Sequence, residues 1–173
     1  MNPPIFLVGF MGSGKTRVGK LLARCLKWNW VDLDHKISSD AGLSIPEIFS
    51  QEGEEGFRKR ERASFLTYAQ IENTVVSCGG GIVTVPENLE DLVNQPRTIC
   101  LRISPETVFR RVGNDPRRPL LQGPDPFVKI QELMQERKPY YSRFDKVIDV
   151  DKLKSGEIVN QILDLLDLTS NPS

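Results

Sequence analysis

Eight residues near the start, Gly9-Phe10-Met11-Gly12-Ser13-Gly14-Lys15-Thr16, satisfy the pattern G-x-x-x-x-G-K-[ST]. Its chemistry is that of an anion cradle. Glycines let the backbone turn tightly and approach phosphate oxygens without a Cβ in the way, so that N–H groups and a helix start can point at the anion. Lys15 supplies a mobile positive charge for the β- and γ-phosphates, and the Thr16 hydroxyl is the group such loops offer to Mg²⁺. The apolar run Ile5-Phe6-Leu7-Val8 before it reads as a buried strand, and Val18, Leu21, Leu22, Cys25 and Leu26 after it recur at helical spacing. Strand, glycine loop and helix together favour a phosphate loop over a plain glycine turn.

Further along, Asp32-Leu33-Asp34 closes a second strand begun at Trp28. Residues two apart on a strand share a face, which would offer one carboxylate to a metal and the other to a substrate. The alternative is a polar strand end with Asp34 capping the next helix. Arg58 and Glu61 stand three apart on a helix opening at Glu54, where a solvated surface ion pair is the plain reading. Gly79-Gly80-Gly81 follows the strand Thr74-Val75-Val76-Ser77-Cys78. Three glycines there cost backbone entropy, and they read either as a close approach by a ligand or another backbone, or as a flexible turn.

These groups need a scaffold, and the rest of the pattern supplies one. The helix after Lys15 should end near Lys27. Ser44-Ile45-Pro46-Glu47 is a capping box opening a short helix that Gly53 ends. Further helices begin near Pro86 and at Ser104-Pro105, and Thr98–Ile103 is the fourth strand. Residues 113–126, with four prolines and the pair Arg117-Arg118, form a loop of the length and composition of an active-site lid or an exposed basic loop. A helix carrying Phe127, Ile130, Leu133, Met134 and Arg137 precedes Pro139-Tyr140-Tyr141. A fifth strand over 146–150 and a last amphipathic helix complete the chain. Strands alternating with helices predict an α/β three-layer sandwich: a five-stranded parallel sheet of order 2-3-1-4-5, helices on both faces, in one domain spanning 1–173.

Composition narrows the function classes. Lysine plus arginine and aspartate plus glutamate number 23 each in 173 residues, so net charge gives no reason to expect nucleic acid or an anionic membrane as partner. Cys25, Cys78 and Cys100 are far apart in apolar segments, which suits reduced core thiols. No apolar run approaches a membrane span, and a strand beginning by Ile5 leaves no room for a targeting peptide. The expectation is a cytoplasmic protein, or one of the plastid stroma if a transit peptide has been removed. Nothing demands an oligomer, so a monomer is expected. His35 reads as a surface or structural histidine.

Taken in order, the motifs resemble those of the shikimate kinase family, in the nucleoside-monophosphate-kinase-like group of phosphate-loop folds. They are Gly9 to Thr16, Asp32-Leu33-Asp34, Phe57-Arg58-Lys59-Arg60-Glu61, Gly79-Gly80-Gly81, Arg118-Pro119-Leu120-Leu121 and Glu136-Arg137-x-Pro139-x-Tyr141. The resemblance implies transfer of the γ-phosphoryl group of MgATP to the 3-hydroxyl of shikimate. It implies ATP contacts from Gly12, Ser13, Gly14, Lys15, Thr16, Arg17, Arg111 and Arg118, and Mg²⁺ held by Thr16 and Asp32. Asp34, Arg58, Arg137 and the glycines Gly79, Gly80 and Gly81 would bind shikimate, with Glu61 orienting Arg58. Lys15, Asp34 and Arg118 would be the catalytic groups. Arg17 stands where many relatives carry a second hydroxyl residue, and Arg117 beside Arg118 leaves two candidates for the lid arginine. The alternatives are a gluconate or nucleoside-monophosphate kinase, and a catalytically silent binding protein.

Overall fold

The computed structural model describes residues 2–116, 118 and 121–168. Five strands, β1 (Ile5–Gly9), β2 (Asn29–Asp32), β3 (Thr74–Ser77), β4 (Thr98–Arg102) and β5 (Val147–Asp149), form one sheet of order β2-β3-β1-β4-β5. All four pairings are parallel, with Ile5 opposite Val75, Asn29 opposite Thr74, Leu7 opposite Ile99 and Cys100 opposite Val147. The expected fold and strand order are those observed.

Alternation along β1 builds a core on each face of the sheet. Ile5 and Leu7 join Val75, Ile99, Leu101 and Ile148 under α1 (Lys15–Leu26), α5 (Pro105–Val112), α6 (Pro126–Tyr141) and α7 (Ser155–Leu165). Phe6 and Val8 join Val76, Cys78 and Cys100 under α3 (Ile45–Tyr68) and α4 (Pro86–Asn94). A strand buried on both faces reads as a continuous apolar run, as Ile5 to Val8 does. Phe65 from α3 packs on Phe6 at 5.2 Å between ring centroids, and truncating it to alanine would cost about 3–5 kcal/mol. A third, small cluster of Ile37, Ile48 and Phe57 joins α2 (Leu33–Ala41) to α3.

The local signals at 44–53 are confirmed in detail. Ser44 and Glu47 make both bonds of the capping box, and Gly53, at φ 71° and ψ −177°, interrupts the helical backbone of α3. Two other expectations are corrected. Pro139 lies inside α6 instead of after it. The helix absorbs it because the carbonyl that loses its donor belongs to Gln135, on the exposed side, where water can replace the bond. Cys78 and Cys100 are buried free thiols, but Cys25 is exposed, on the outward side of α1.

The strand order reverses around β1, whose neighbours are β3 on one side and β4 on the other. In open parallel sheets a crevice forms there, beyond the strands' carboxyl ends. The loop after β1 opens into it.

Candidate active site

The loop between β1 and α1 takes the shape its glycines permit. Gly12 and Gly14 sit at φ 75° and 93°, in the left-handed region that L side chains resist. Gly14 is the N-cap of α1 and no side chain caps it, so the helix presents its first N–H groups to the cleft. Lys15 folds back over the loop. Its Nζ donates to Gly9 O at 2.7 Å, Phe10 O at 3.1 Å and Ser13 Oγ at 3.4 Å. Burial pushes this ammonium down to about 8, against the opposing pull of Asp34 and other nearby groups. Ser13 itself is fully buried, with its N–H on Phe10 O, so its side chain serves the loop and not the cleft surface.

The paired carboxylates are arranged differently from the strand geometry expected of them. β2 stops at Asp32, and Leu33 and Asp34 already belong to α2. Asp32 is the N-cap: one oxygen accepts from His35 N–H at 3.2 Å, and the other accepts from Thr16 Oγ1 at 2.7 Å. An aspartate that can cap a helix ends the strand there, so the two-residue alternation does not reach Asp34. Asp34 sits in the first turn of α2, where the helix dipole favours a negative charge. Its carboxyl is nevertheless pushed above the ordinary range, first by burial and then by repulsion from Asp32, against attraction from Lys15, Arg118 and Arg58.

Each of the three consecutive glycines abuts one of the expected acceptor residues. A Cβ on Gly79 would lie 2.6 Å from Asp34 Oδ1, and one on Gly81 would lie 2.5 Å from an Arg58 guanidinium nitrogen. Gly80 has ordinary contact distances, 3.6 Å to Arg137. Its carbonyl instead accepts from Arg137 at 3.2 Å and from the Tyr141 hydroxyl at 2.7 Å. The close approach expected at the glycines is made by side chains at Gly79 and Gly81, whereas the nearest neighbour of Gly80 is the backbone nitrogen of Met11, 3.5 Å from where a Cβ would lie. Arg58 donates to Glu61 Oε1 at 2.8 Å, while its Nε stands 3.5 Å from Glu54. Glu61 is 1% exposed, so the pair is no surface ornament. Burial outweighs the attraction of Arg58 and pushes Glu61 up to about 7.

A cleft of about 530 Å³ runs along these groups, lined by Gly12, Gly14, Lys15, Thr16, Arg17, Asp32, Asp34, Gly79, Gly80, Arg111 and Arg118, together with Met11, Lys20, Cys78 and Val112. Arg111 is tied to the loop by a bond from its guanidinium to Gly12 O at 2.8 Å. In the stretch expected to form a lid, Arg118 is exposed on the cleft, and the alternative arginine, Arg117, lies outside the described residues with Pro119 and Leu120. Arg58, Glu61, Gly81 and Arg137 are not on the cleft wall; they adjoin its far end through the glycine strand exit.

A family model described as shikimate kinase matches residues 11–167. The chain belongs to the shikimate kinase family. A shikimate kinase of Caldanaerobacter subterraneus subsp. tengcongensis is 40% identical over 92% of this chain and 93% of its own length. That of Bordetella pertussis is 42% identical over 92% of this chain and 76% of its own. Among solved structures, shikimate kinase from Acinetobacter baumannii in complex with shikimate superposes with a TM-score of 0.90 at 34% identity, covering 99% of this chain and 96% of that one. A gluconokinase from Sinorhizobium meliloti, at TM-score 0.55 and 17% identity, shares the fold only.

Within this shikimate kinase scaffold several contributors were not singled out as site residues by sequence reasoning. Tyr141 holds Gly80, and Phe10 lies under Arg137 with its ring centroid 5.5 Å from the guanidinium. Met11, Cys78, Val112 and Lys20 complete the cleft wall. Tyr141 stood within a recognised motif, but nothing in its type announces a bond to a distant carbonyl. The apolar residues carry no signal beyond adjacency to the glycines.

Proposed function

We propose that this cleft carries out the family's reaction, transfer of the γ-phosphoryl group of ATP to the 3-hydroxyl of shikimate, with the following division of labour. The loop N–H groups, Lys15 and Arg17 hold the phosphate tail, and Arg111 borders the nucleotide end. Lys15 leaves its three loop acceptors to meet the β- and γ-phosphates. Arg118 adds charge from the lid side once the site closes and water is excluded. Asp34 orients the attacking hydroxyl and accepts its proton late, a role its raised proton affinity suits. Arg58, oriented by Glu61, and Arg137 hold the acceptor carboxylate as paired guanidinium forks, and the backbone of Gly79, Gly80 and Gly81 forms the floor beneath it.

A hydroxyl and a carboxylate oxygen 2.7 Å apart, Thr16 and Asp32, are hard donors few enough to leave room for phosphate oxygens and water, as Mg²⁺ prefers. Bound there, Mg²⁺ would neutralise charge on the transferring group. The protein otherwise positions reactants, because a loose transition state needs little covalent help.

The observation that carries the reading is the glycine exit of β3, which brings Asp34, Arg137 and Arg58 to the end of a phosphate-loop cleft. All of these groups come from one chain, so a monomer suffices. The free thiols suit a reducing compartment such as the cytoplasm or the stroma. Among the described residues no helix is long and apolar enough to cross a membrane.

The test is ADP release with MgATP, offering shikimate, quinate, gluconate, AMP and no acceptor in parallel. Turnover with shikimate far above the acceptor-free rate is the expected result. Turnover with another acceptor would refute the acceptor assignment, and ATP binding without turnover would refute the catalytic one.

A further inference from the structure

Beneath the phosphate loop lies a hydrogen-bonded chain that none of the roles above uses. Trp30 on β2 donates its indole N–H to Ser77 Oγ at 3.1 Å, and Ser77 on β3 donates to the main-chain carbonyl of Lys15 at 2.9 Å. The direction of both bonds is fixed by chemistry. An indole nitrogen can only donate, so the Ser77 oxygen must accept from it, and a carbonyl can only accept, so the Ser77 hydrogen must point at Lys15.

The carbonyl of Lys15 and the N–H of Thr16 are the two ends of one rigid peptide plane. Fixing the oxygen therefore fixes the direction of the N–H. That N–H is among the first in α1, the donors that an intrahelical ladder leaves free for an anion. A hydrogen bond at the carbonyl also polarises the peptide and strengthens its N–H as a donor.

The surroundings are shaped for this contact. Ser77 is buried, and Gly19 on the next turn of α1 packs directly over the pair. A Cβ on Gly19 would lie 2.5 Å from Ser77 Oγ and 2.7 Å from Trp30 Nε1, so the helix comes this close only because that residue is glycine. Lys20, which lines the cleft, rests its ammonium 4.7 Å from the Trp30 ring centroid. Two residues beyond Trp30 on the same strand stands Asp32, the partner of Thr16.

We propose that Trp30 and Ser77 are positioning residues of the nucleotide site: they lock the Lys15–Thr16 peptide with its N–H toward the phosphates, and Trp30 also steadies Lys20 at the cleft rim. This rests on the nucleotide reading of the cleft. Trp30→Phe keeps the bulk and removes the donor, leaving Ser77 free to turn away; Ser77→Ala removes the relay itself.

The experiment measures KM for ATP and for shikimate, MgADP affinity and thermal stability for the parent, Trp30→Phe, Ser77→Ala and the double variant. A Trp28→Phe protein is added so that emission reports on Trp30 alone. Each single variant should raise KM for ATP and weaken MgADP binding about fivefold, the change expected of one neutral hydrogen bond, with shikimate KM unchanged. The double variant should be no worse than Ser77→Ala, since the two residues act through one bond. In the Trp28→Phe protein, MgADP should change the emission of Trp30, and Ser77→Ala should diminish that change. Unchanged nucleotide constants in a folded Trp30→Phe protein would overturn the proposal, as would equal rises in both KM values with a fall in thermal stability, which would mark sheet packing instead. A Trp30 emission indifferent to MgADP, in a Trp28→Phe protein that binds it, would also overturn it. A parent that binds no nucleotide would instead remove the site reading beneath it.

Discussion

Gly79 and Asp34 are so closely opposed that a single methyl group on the glycine would stand 2.6 Å from the carboxylate oxygen. The backbone of Gly79 has no left-handed torsion that would demand glycine. Space for Asp34 is what the position conserves mechanically. Gly79→Ala should displace the carboxylate and lower kcat by about tenfold to a hundredfold, as small misplacements of a reacting group do. ATP affinity should hold. Steady-state kinetics with each substrate varied in turn would check both halves of the claim.

Lys15→Met should lower turnover by about a thousandfold while leaving the fold intact, since a part-buried cation whose hydrogen bonds, among the described residues, go to its own loop contributes to charge neutralisation more than to packing. Circular dichroism alongside the kinetic measurement would separate loss of chemistry from loss of structure. Near-normal turnover in a folded variant would exclude the mechanism.

The same lysine sets a pH dependence. Below about 8 its ammonium is charged in the free protein, and above that value the charge is lost. The profile of kcat/KM for ATP should therefore fall with an apparent pKa near 8, because this quantity reports the free enzyme. Bound phosphates favour the charged form, so kcat should keep its value to higher pH. A kcat/KM profile flat through that region would contradict the assignment.

Arg58→Ala removes one fork of the proposed acceptor clamp and leaves Glu61 buried without its partner. KM for shikimate should rise about tenfold to a hundredfold, the range for a lost charged hydrogen bond, with KM for ATP little changed. An unchanged shikimate KM would count against the clamp.

Glu61 offers a stability test with a definite sign. It holds its proton to about 7 in the folded chain, against 4.5 for an ordinary glutamate, so the folded state binds more protons between those values. Its contribution to stability is therefore fully present below about 4.5 and is lost as pH rises through 7. Glu61→Gln should flatten that part of the profile in denaturant unfolding and should raise shikimate KM by loosening Arg58. If parent and variant lose stability in parallel across this range, another group is responsible.

The fold was almost fully legible because its signals are local and periodic. Ile5 to Val8 announces a strand buried on both faces, Ser44 with Glu47 announces a helix start, and the glycine loop places the cleft. What the sequence concealed depends on tertiary choice. Asp32 and Asp34 fit a strand end by spacing, and only the competition between ladder pairing and helix capping decides that Asp32 caps and Asp34 turns into α2. Glu61 sits in a charge-rich helical segment, and its burial follows from the face that meets the glycines. Cys25 fits an apolar stripe by period, yet the stripe's edge falls just short of it.

The small cluster of Ile37, Ile48 and Phe57 belongs to neither of the two cores that hold the sheet, and Gly53 breaks the helix that carries it. The end of the molecule proposed to meet the acceptor therefore has its own source of cohesion. Such a partition lets substitutions accumulate around the acceptor without renegotiating the packing beneath the phosphate loop.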